Sequence, residues 1–259
     1  MKQGSAEPRP IAVLDDFFSE YLGCDLSLVP PGKTVITASS RRERPELLYG
    51  YTFPLWMILT QSRCAISVQG RLLRAVSGLA RTIGLANLRR PEAARRFVVA
   101  ATRVLGIRAR VSSSSGPIFY CLRENLRFWQ VHPCRPIEPD DIPTIAATGM
   151  AGSWLEHSVH ERTAFAAYHG KRPVSIAGTF PVPHMADRVA DIAVPGTIEE
   201  FRNQGFGRTA VAHTTRAVLE LGRIPVYSTS DANVASQRTA LATGYFEYGW
   251  QFRVHLPSP

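Results

Sequence analysis

The sequence predicts an α/β fold, and three observations carry that prediction. Short apolar runs rich in aromatic and β-branched residues alternate with stretches whose apolar residues recur at helical spacing. The second half orders them as strand, glycine loop, helix, strand, helix, strand. No repeat of solenoid period competes with this reading. A chain of 259 residues suffices for one large domain or two small ones. We divide it into residues 1–128 and 129–259.

In the first part, residues 1–10 are polar and proline-containing, and should fray. "IAVLDDFFSEYLGC" reads as a short helix, and "LLYGYTFPLWMILT" and "RCAISVQ" as strands. "GRLLRAVSGLARTIG" places Leu72, Val76, Leu79 and Ile83 on one helical face. "PEAARRFVVAATRVLG" starts a second helix at Pro91 and stops it at Gly106. "SSSSGPIFYCL" reads as a flexible turn feeding a strand. None of these elements carries a catalytic constellation.

In the second part, "FWQVHPCRPI" reads as a strand, and "EPDDIPTIAATG" as a helix with acidic residues first and Gly149 last. A mixed stretch follows through "SWLEHSVHERTAFAAYHGKR". "PVSIAGTF" and "RVADIAV" form a hairpin or meander around "PVPHMAD". After the loop "EFRNQGFGRT", a helix places Ala210, Thr214, Ala217 and Leu221 on one stripe and stops at Gly222. "IPVYSTS" is a strand, and "NVASQRTALATG" a helix capped by Asn233 and closed by Gly244. "YFEYGWQFRVHL" ends the chain as one or two strands.

The loop carries the chemistry. A helix N-terminus leaves about four backbone N–H groups unpaired, and its dipole concentrates roughly half a positive charge there. Gly205 and Gly207 allow a sharp turn and close approach of an anion, while Arg202 and Arg208 add charge at the rim. The loop is neither a Walker loop nor a dinucleotide fingerprint, because no G-K-[ST] follows and the third glycine is missing.

These residues resemble the GNAT N-acetyltransferase superfamily, whose acetyl-CoA loop is [RQ]-x-x-G-x-[GA]. Arg202-Asn203-Gln204-Gly205-Phe206-Gly207 fits that pattern. "RVADIAV" matches the strand before the loop. Asn233 and Gly244-Tyr245 match the family's helix-opening Asn and the Gly-aromatic pair eleven and twelve residues later. The resemblance covers about residues 130–256 and implies a mixed, mostly antiparallel sheet flanked by helices. It makes 129–259 an acetyl-CoA-binding catalytic domain, with 1–128, itself open to a GNAT-like reading, shaping the acceptor site.

The implied reaction is direct attack of a small-molecule amine on the acetyl thioester of acetyl-CoA, through a tetrahedral intermediate. The thioester arm would lie between two parallel strands that splay apart, here "RVADIAV" and "IPVYSTS", pairing with backbone near Val194 and Thr197. Amides of Gln204 to Arg208 would hold the diphosphate, and Asn233, with Ser236 behind it, would contact pantetheine. The chain is one residue longer than usual between Asp191 and Arg202 and contains Pro195, which has no N–H. The register of the thioester contacts is therefore open by one position. In many relatives a Tyr seven residues after the helix-opening Asn is the acid, and here that position is Ala240. Tyr245, Tyr227 or solvent are the substitutes, with Tyr245 first. Asp191, on the strand beside the acetyl group, is the first candidate base, ahead of His184 and His213.

Composition narrows the alternatives. Four scattered cysteines without C-x-x-C spacing read as reduced cytosolic thiols. Glu156, His157, His160 and Glu161 run E-H-x-x-H-E rather than H-E-x-x-H, so no metal site is expected. No apolar run approaches a membrane span, and the first residues lack a secretory signal, so a cytoplasmic protein is expected. The formal charge of +9 rests mainly on arginine, densest over residues 81–110. Spaced along helices and without interleaved aromatics, these arginines argue against a nucleic-acid partner. A homodimer, a coenzyme-A-binding module without turnover and, on the charge alone, a basic nucleic-acid-binding protein stay open.

Overall fold

The structure, a computed structural model, describes residues 9–46, 49–106 and 111–257. It divides into two compact units, residues 1–116 with 248–259, and 117–247. The first unit ends at residue 116, whereas the sequence reading divides the chain at 128/129. The chain's last strand pairs with the first unit, and this draws residues 248–259 out of the second.

Unit 1 opens with helix α1 (Pro10–Leu22), closed by Gly23 in the left-handed region. Strands β1 (Thr34–Ala38), β2 (Tyr51–Thr60) and β3 (Cys64–Val68) follow. Then come helices α2 (Leu73–Ile83) and α3 (Pro91–Leu105). β4 (Ser112–Tyr120) is extended throughout, so the serine run is strand rather than flexible turn, and from Pro117 on it belongs to unit 2. The final run is one strand, β10 (Phe246–Pro257). β1 pairs parallel with β3, β3 antiparallel with β2, and β2 antiparallel with β10.

α2 and α3 lay Val76, Ala80, Phe97 and Ala101 against Leu55, Met57, Ile66, Trp250 and Phe252. α1 brings Tyr21 onto Trp56 and Phe18 onto Tyr248. Its Asp15 accepts a 2.7 Å bond from the Tyr248 hydroxyl and pairs with Arg63. Leu47, Leu48 and residues 107–110 of the arginine-dense run lie outside the described residues.

Unit 2 contains β5 (Cys134–Pro136), short helices α4 (Ile142–Ala146) and α5 (Leu155–His160), and β6 (Phe165–His169). β7 (Arg172–Phe180), β8 (Val189–Thr197) and helix α6 (Phe206–Glu220) follow. β9 (Ile224–Ser228) and helix α7 (Val234–Thr243) complete it. β5, β6, β7 and β8 form an antiparallel succession, β8 pairs parallel with β9, and β9 antiparallel with β4. Helices cover both faces. α6 and α7 enclose Phe119, Ala190, Ile192, Phe206 and Val211, while α4 and α5 enclose Trp154, Ile176 and Ala193. This is a mixed, mostly antiparallel sheet flanked by helices, as the resemblance implies.

Only Cys134–Pro136 of the expected strand "FWQVHPCRPI" pairs as strand. Residues 123–132 instead run antiparallel along α6 as a strap. Arg123 donates to the Leu219 carbonyl at 2.7 Å, Phe128 meets His213, Trp129 lies under Arg208, and His132 stacks on Phe206.

Candidate functional site

The site forms where β8 and β9 part. Their parallel pairing runs from Val189↔Ile224 to Asp191↔Val226 and stops, although both strands continue. Beyond that rung β8 keeps β7 as a neighbour to Thr197, and β9 keeps β4 through Ile118↔Ser228. The facing edges between them have no ladder partner in each other. The extra residue in β8 is taken up by a bulge. Ile176 faces Gly196 and Gly178 faces Ala193, so Val194 and Pro195 together oppose Ala177. A bulge bends and twists its strand, which carries the end of β8 away from β9. The one-residue ambiguity in register is thus a bulge, at a place where a proline without N–H is tolerated.

α6 begins beside this opening. After the turn Glu199–Phe201, Asn203 (φ 61°) and Gly205 (φ 90°) are left-handed, and no side chain caps the helix. Within the first turn the Thr209 amide returns to the Gly205 carbonyl at 2.9 Å. The amides of Phe206, Gly207 and Arg208 are the orphan donors that such a terminus leaves.

The two glycines differ in use. Gly205 is needed for its backbone conformation. A Cβ on Gly207 would stand 3.0 Å from Thr197 Oγ1, so its bareness serves the packing of α6 on β8. Thr197 Oγ1 also bonds Ser175 Oγ at 2.9 Å. Val194 packs against the α6-side core.

Of the two arginines, Arg202 is exposed, with Nε 3.3 Å from the Thr197 carbonyl and a loose 3.9 Å approach to Glu199. Arg208 is not a rim charge. Its guanidinium lies 3.9 Å from the Trp129 ring centre and donates to the Ala242 carbonyl at the end of α7 at 2.7 Å, so only its amide faces the cradle. Gln204 is held through Nε2 to the Glu200 carbonyl at 3.0 Å, and its own carbonyl meets His132 Nε2 at 2.6 Å. Phe206 is buried, with His132 stacked 3.6 Å away.

On the other side of the opening, Asn233 Oδ1 caps α7 by accepting from the Ser236 amide at 3.1 Å. Ser236 Oγ lies 2.8 Å from the Tyr227 hydroxyl. Asp191, half-buried, occupies the last paired rung, between Phe180 and Val226. It alternates with Ala190 and Ile192, so it faces away from α6 and toward the α4/α5 side.

Tyr245 does not suit the role of proton donor. It is 2% exposed, its hydroxyl is bonded to Thr215 at 2.7 Å inside the α6 face, and burial holds its pKa well above the ordinary value. Ala240 is wholly buried in the same core and can present nothing. Tyr227, one residue past the last β8/β9 rung, is as enclosed, at 1% exposed, and differs in that its hydroxyl meets Ser236 in the first turn of α7 rather than the α6 face. Burial raises its pKa and the Ser236 bond opposes the rise, so it is protonated at neutral pH.

His213 is buried between Phe128 and Phe165, and desolvation, helped by Arg216, lowers its pKa to about 4. Glu161 pairs with Arg223 at 2.6 Å, and among the described residues no group of His, Cys, Asp and Glu could hold a metal ion. The four cysteines are free, and burial raises every thiol pKa. Among the described residues no helix is long and apolar enough to cross a membrane. The sequence reading missed Trp129 and His132. Their signal, an aromatic-rich "RFWQVH", imitates a strand.

No protein-family model matches the chain, and no curated protein does. Solved structures similar to it include an acetyltransferase from the GNAT family of Colwellia psychrerythraea, at 15% identity and TM-score 0.46, covering 62% of each chain. A GCN5-related N-acetyltransferase from Kribbella flavida is 21% identical with TM-score 0.44, over 61% of this chain and 64% of the other. A functionally unknown conserved protein from Staphylococcus epidermidis is 14% identical with TM-score 0.42, over 62% of this chain and 68% of the other.

Proposed function

We propose that the chain is an acyl-CoA-dependent N-acyltransferase that moves an acetyl group from acetyl-CoA to the amine of a small molecule. One observation carries the reading: a parallel strand pair opens after Asp191 and Val226 beside an uncapped helix N-terminus. The orphan amides at the start of α6 fit a diphosphate. The unpaired edges of β8 and β9 fit the amide-bearing pantetheine arm, which would complete their ladders. A backbone N–H at the β8 bulge would polarise the thioester carbonyl, a contribution of typically a few kcal/mol in such sites.

Asp191 would take the proton that an incoming ammonium must lose before its nitrogen can attack. Tyr227, braced by Ser236, would return a proton to the departing thiolate. The test is thiol release from acetyl-CoA across a panel of amines. Release that depends on one amine class and falls in Asp191→Asn supports the reading.

A second reading, coenzyme-A binding without turnover, is favoured by the buried Ala240 and the committed hydroxyl of Tyr245. It expects calorimetric binding of acetyl-CoA and no thiol release with any amine. If acetyl-CoA gives no binding heat at millimolar concentration, both readings fall.

A further inference from the structure

Residues 70–106 contain eight arginines and one acidic residue, Glu92, and so hold seven of the chain's nine surplus positive charges. The two helices of this segment bury one apolar stripe each in the core of unit 1. The apolar surface continues outward from that core, against which Leu79 and Val104 also pack. Ala75 and Leu79 of α2 with Val99, Ala100 and Val104 of α3 line a groove of about 420 Å³, within the range of small-ligand clefts. The remaining lining residues are Arg95, Arg96 and Arg103, and none is acidic. Arg95 pairs with Glu92 at 3.0 Å. Among the described residues Arg96 and Arg103 have no acidic partner. They stand two turns apart on α3 with Val99 between them, on one face of the helix.

The groove's chemistry selects among anions. Single-stranded nucleic acid wants exposed aromatic platforms, and the one aromatic residue of this segment, Phe97, is fully buried. A duplex backbone has no use for an aliphatic floor. A bilayer surface needs a broad apolar helix face, and here Val99, 58% exposed, is the one large apolar side chain of the segment that is open to solvent. A docked helix needs anchors over several turns, whereas the α2 wall runs only from Ala75 to Leu79. An extended aliphatic chain needs a narrow apolar trough. The α3 wall from Arg95 to Val104 supplies one about 13 Å long.

We propose that the groove between α2 and α3 binds a single-chain anionic amphiphile, a long acyl or alkyl chain with a carboxylate or phosphate head. The chain lies on Leu79, Val99 and Val104, and the head meets Arg96 and Arg103, whose guanidinium groups pair with either oxyanion through charge-assisted hydrogen bonds. This site is independent of the acyl-transfer reading.

The test is calorimetric titration of the full chain with dodecanoate and with dodecyl phosphate, both below their micelle-forming concentrations. Dodecyltrimethylammonium and inorganic phosphate serve as the reversed charge and the head without a chain. Saturable binding of at least one anionic amphiphile is expected, with neither control binding. The tighter of the two identifies the head group. Val99→Asp, and the double variant Arg96→Glu with Arg103→Glu, should each weaken binding about tenfold or more. All three residues are exposed, so circular dichroism and melting should be unchanged.

The proposal is overturned if neither anionic amphiphile binds, if the variants bind as the parent does, or if the cationic amphiphile binds equally well. It is also overturned if only phosphatidylglycerol vesicles, duplex DNA or an acidic amphipathic peptide bind in an arginine-dependent way.

Discussion

Each unit shows a parallel strand pair among the described residues, and the two pairs behave differently. In unit 1, β1 and β3 stay in register from Thr34↔Cys64 to Ala38↔Val68, so every residue of β1 is matched. In unit 2, β8 and β9 match over three rungs and then separate. Parallel pairing alone therefore does not open a sheet. What unit 2 adds is the Val194–Pro195 bulge, which turns β8, and an outer neighbour for each strand, β7 and β4, which keeps both edges ordered after they part. The opening is a local irregularity held by regular surroundings, a common way for a fold to keep backbone groups available to a ligand.

The largest expected effect contrasts two helix ends. α1 and α7 both stop at a left-handed glycine, Gly23 and Gly244. A Cβ on Gly23 would collide with the Ser39 hydroxyl, which can turn away. One on Gly244 would collide with the Asn125 backbone carbonyl, at the point where the strap is tied by the Arg127 amide to Thr243. Gly244→Ala should cost about 4 kcal/mol or more in denaturant unfolding. Gly23→Ala should cost only about 1–2 kcal/mol, for its backbone conformation. Equal losses would mean that the strap does not brace unit 2.

Acid should load the two units unequally. His213 in unit 2 and His255 in unit 1 are both held near pKa 4, mainly by burial and secondly by Arg216 and Arg253. A histidine whose folded pKa lies below its unfolded value is neutral when folded and takes up a proton on unfolding. Its contribution is complete above the unfolded pKa of about 6.5 and is lost as pH falls toward 4. At buried His213 the loss is on the order of 2–3 kcal/mol, and at half-buried His255 less. Unfolding by urea at about pH 7 and about pH 4.5 should show a smaller acid penalty in His213→Gln than in the parent. His255→Gln should recover less.

The cradle is probed at Arg202, which packs on nothing that holds the fold. Arg202→Glu should weaken acetyl-CoA binding about tenfold, through repulsion of the diphosphate, and leave melting within about 0.5 kcal/mol. Arg208→Glu should lower stability as well, because it strips the Ala242 carbonyl and the Trp129 face of their partner. If the two variants behave alike, the distinction between rim charge and structural clamp is wrong.

Local chemistry explains what was legible in the sequence. The loop 202–207, the Asn233 cap and the Gly244 stop depend on residues within one turn of each other, so their signals survive without tertiary context. The inserted residue at Pro195 was visible as an ambiguity, and it became a bulge because β7 fixes the register on both sides. The strap was not legible, because "FWQVH" has strand composition while its partner is the side of α6. β1 was missed as five residues set between turns. Nor could spacing show that the Tyr245 hydroxyl turns inward to Thr215 or that residues 248–259 return to unit 1, since both follow from distant contacts.

The smallest expected effect separates two duties of Asn233. Its Oδ1 caps α7, and its amide nitrogen is the group available to a pantetheine carbonyl. Asn233→Asp keeps the capping oxygen and places a negative charge at the helix N-terminus, which is neutral to favourable there. Asn233→Ala removes the cap at a cost of about 1 kcal/mol. If capping is the sole duty, the Asp variant should match the parent in both stability and acetyl-CoA affinity, and only the Ala variant should lose stability. If the amide also holds the coenzyme, the Asp variant keeps its stability and still binds acetyl-CoA several-fold more weakly, because a donor has become an acceptor facing a carbonyl. Measuring stability and affinity on the same two variants reads both duties, because Asn233→Asp spares the cap while it removes the amide donor, whereas Asn233→Ala removes both.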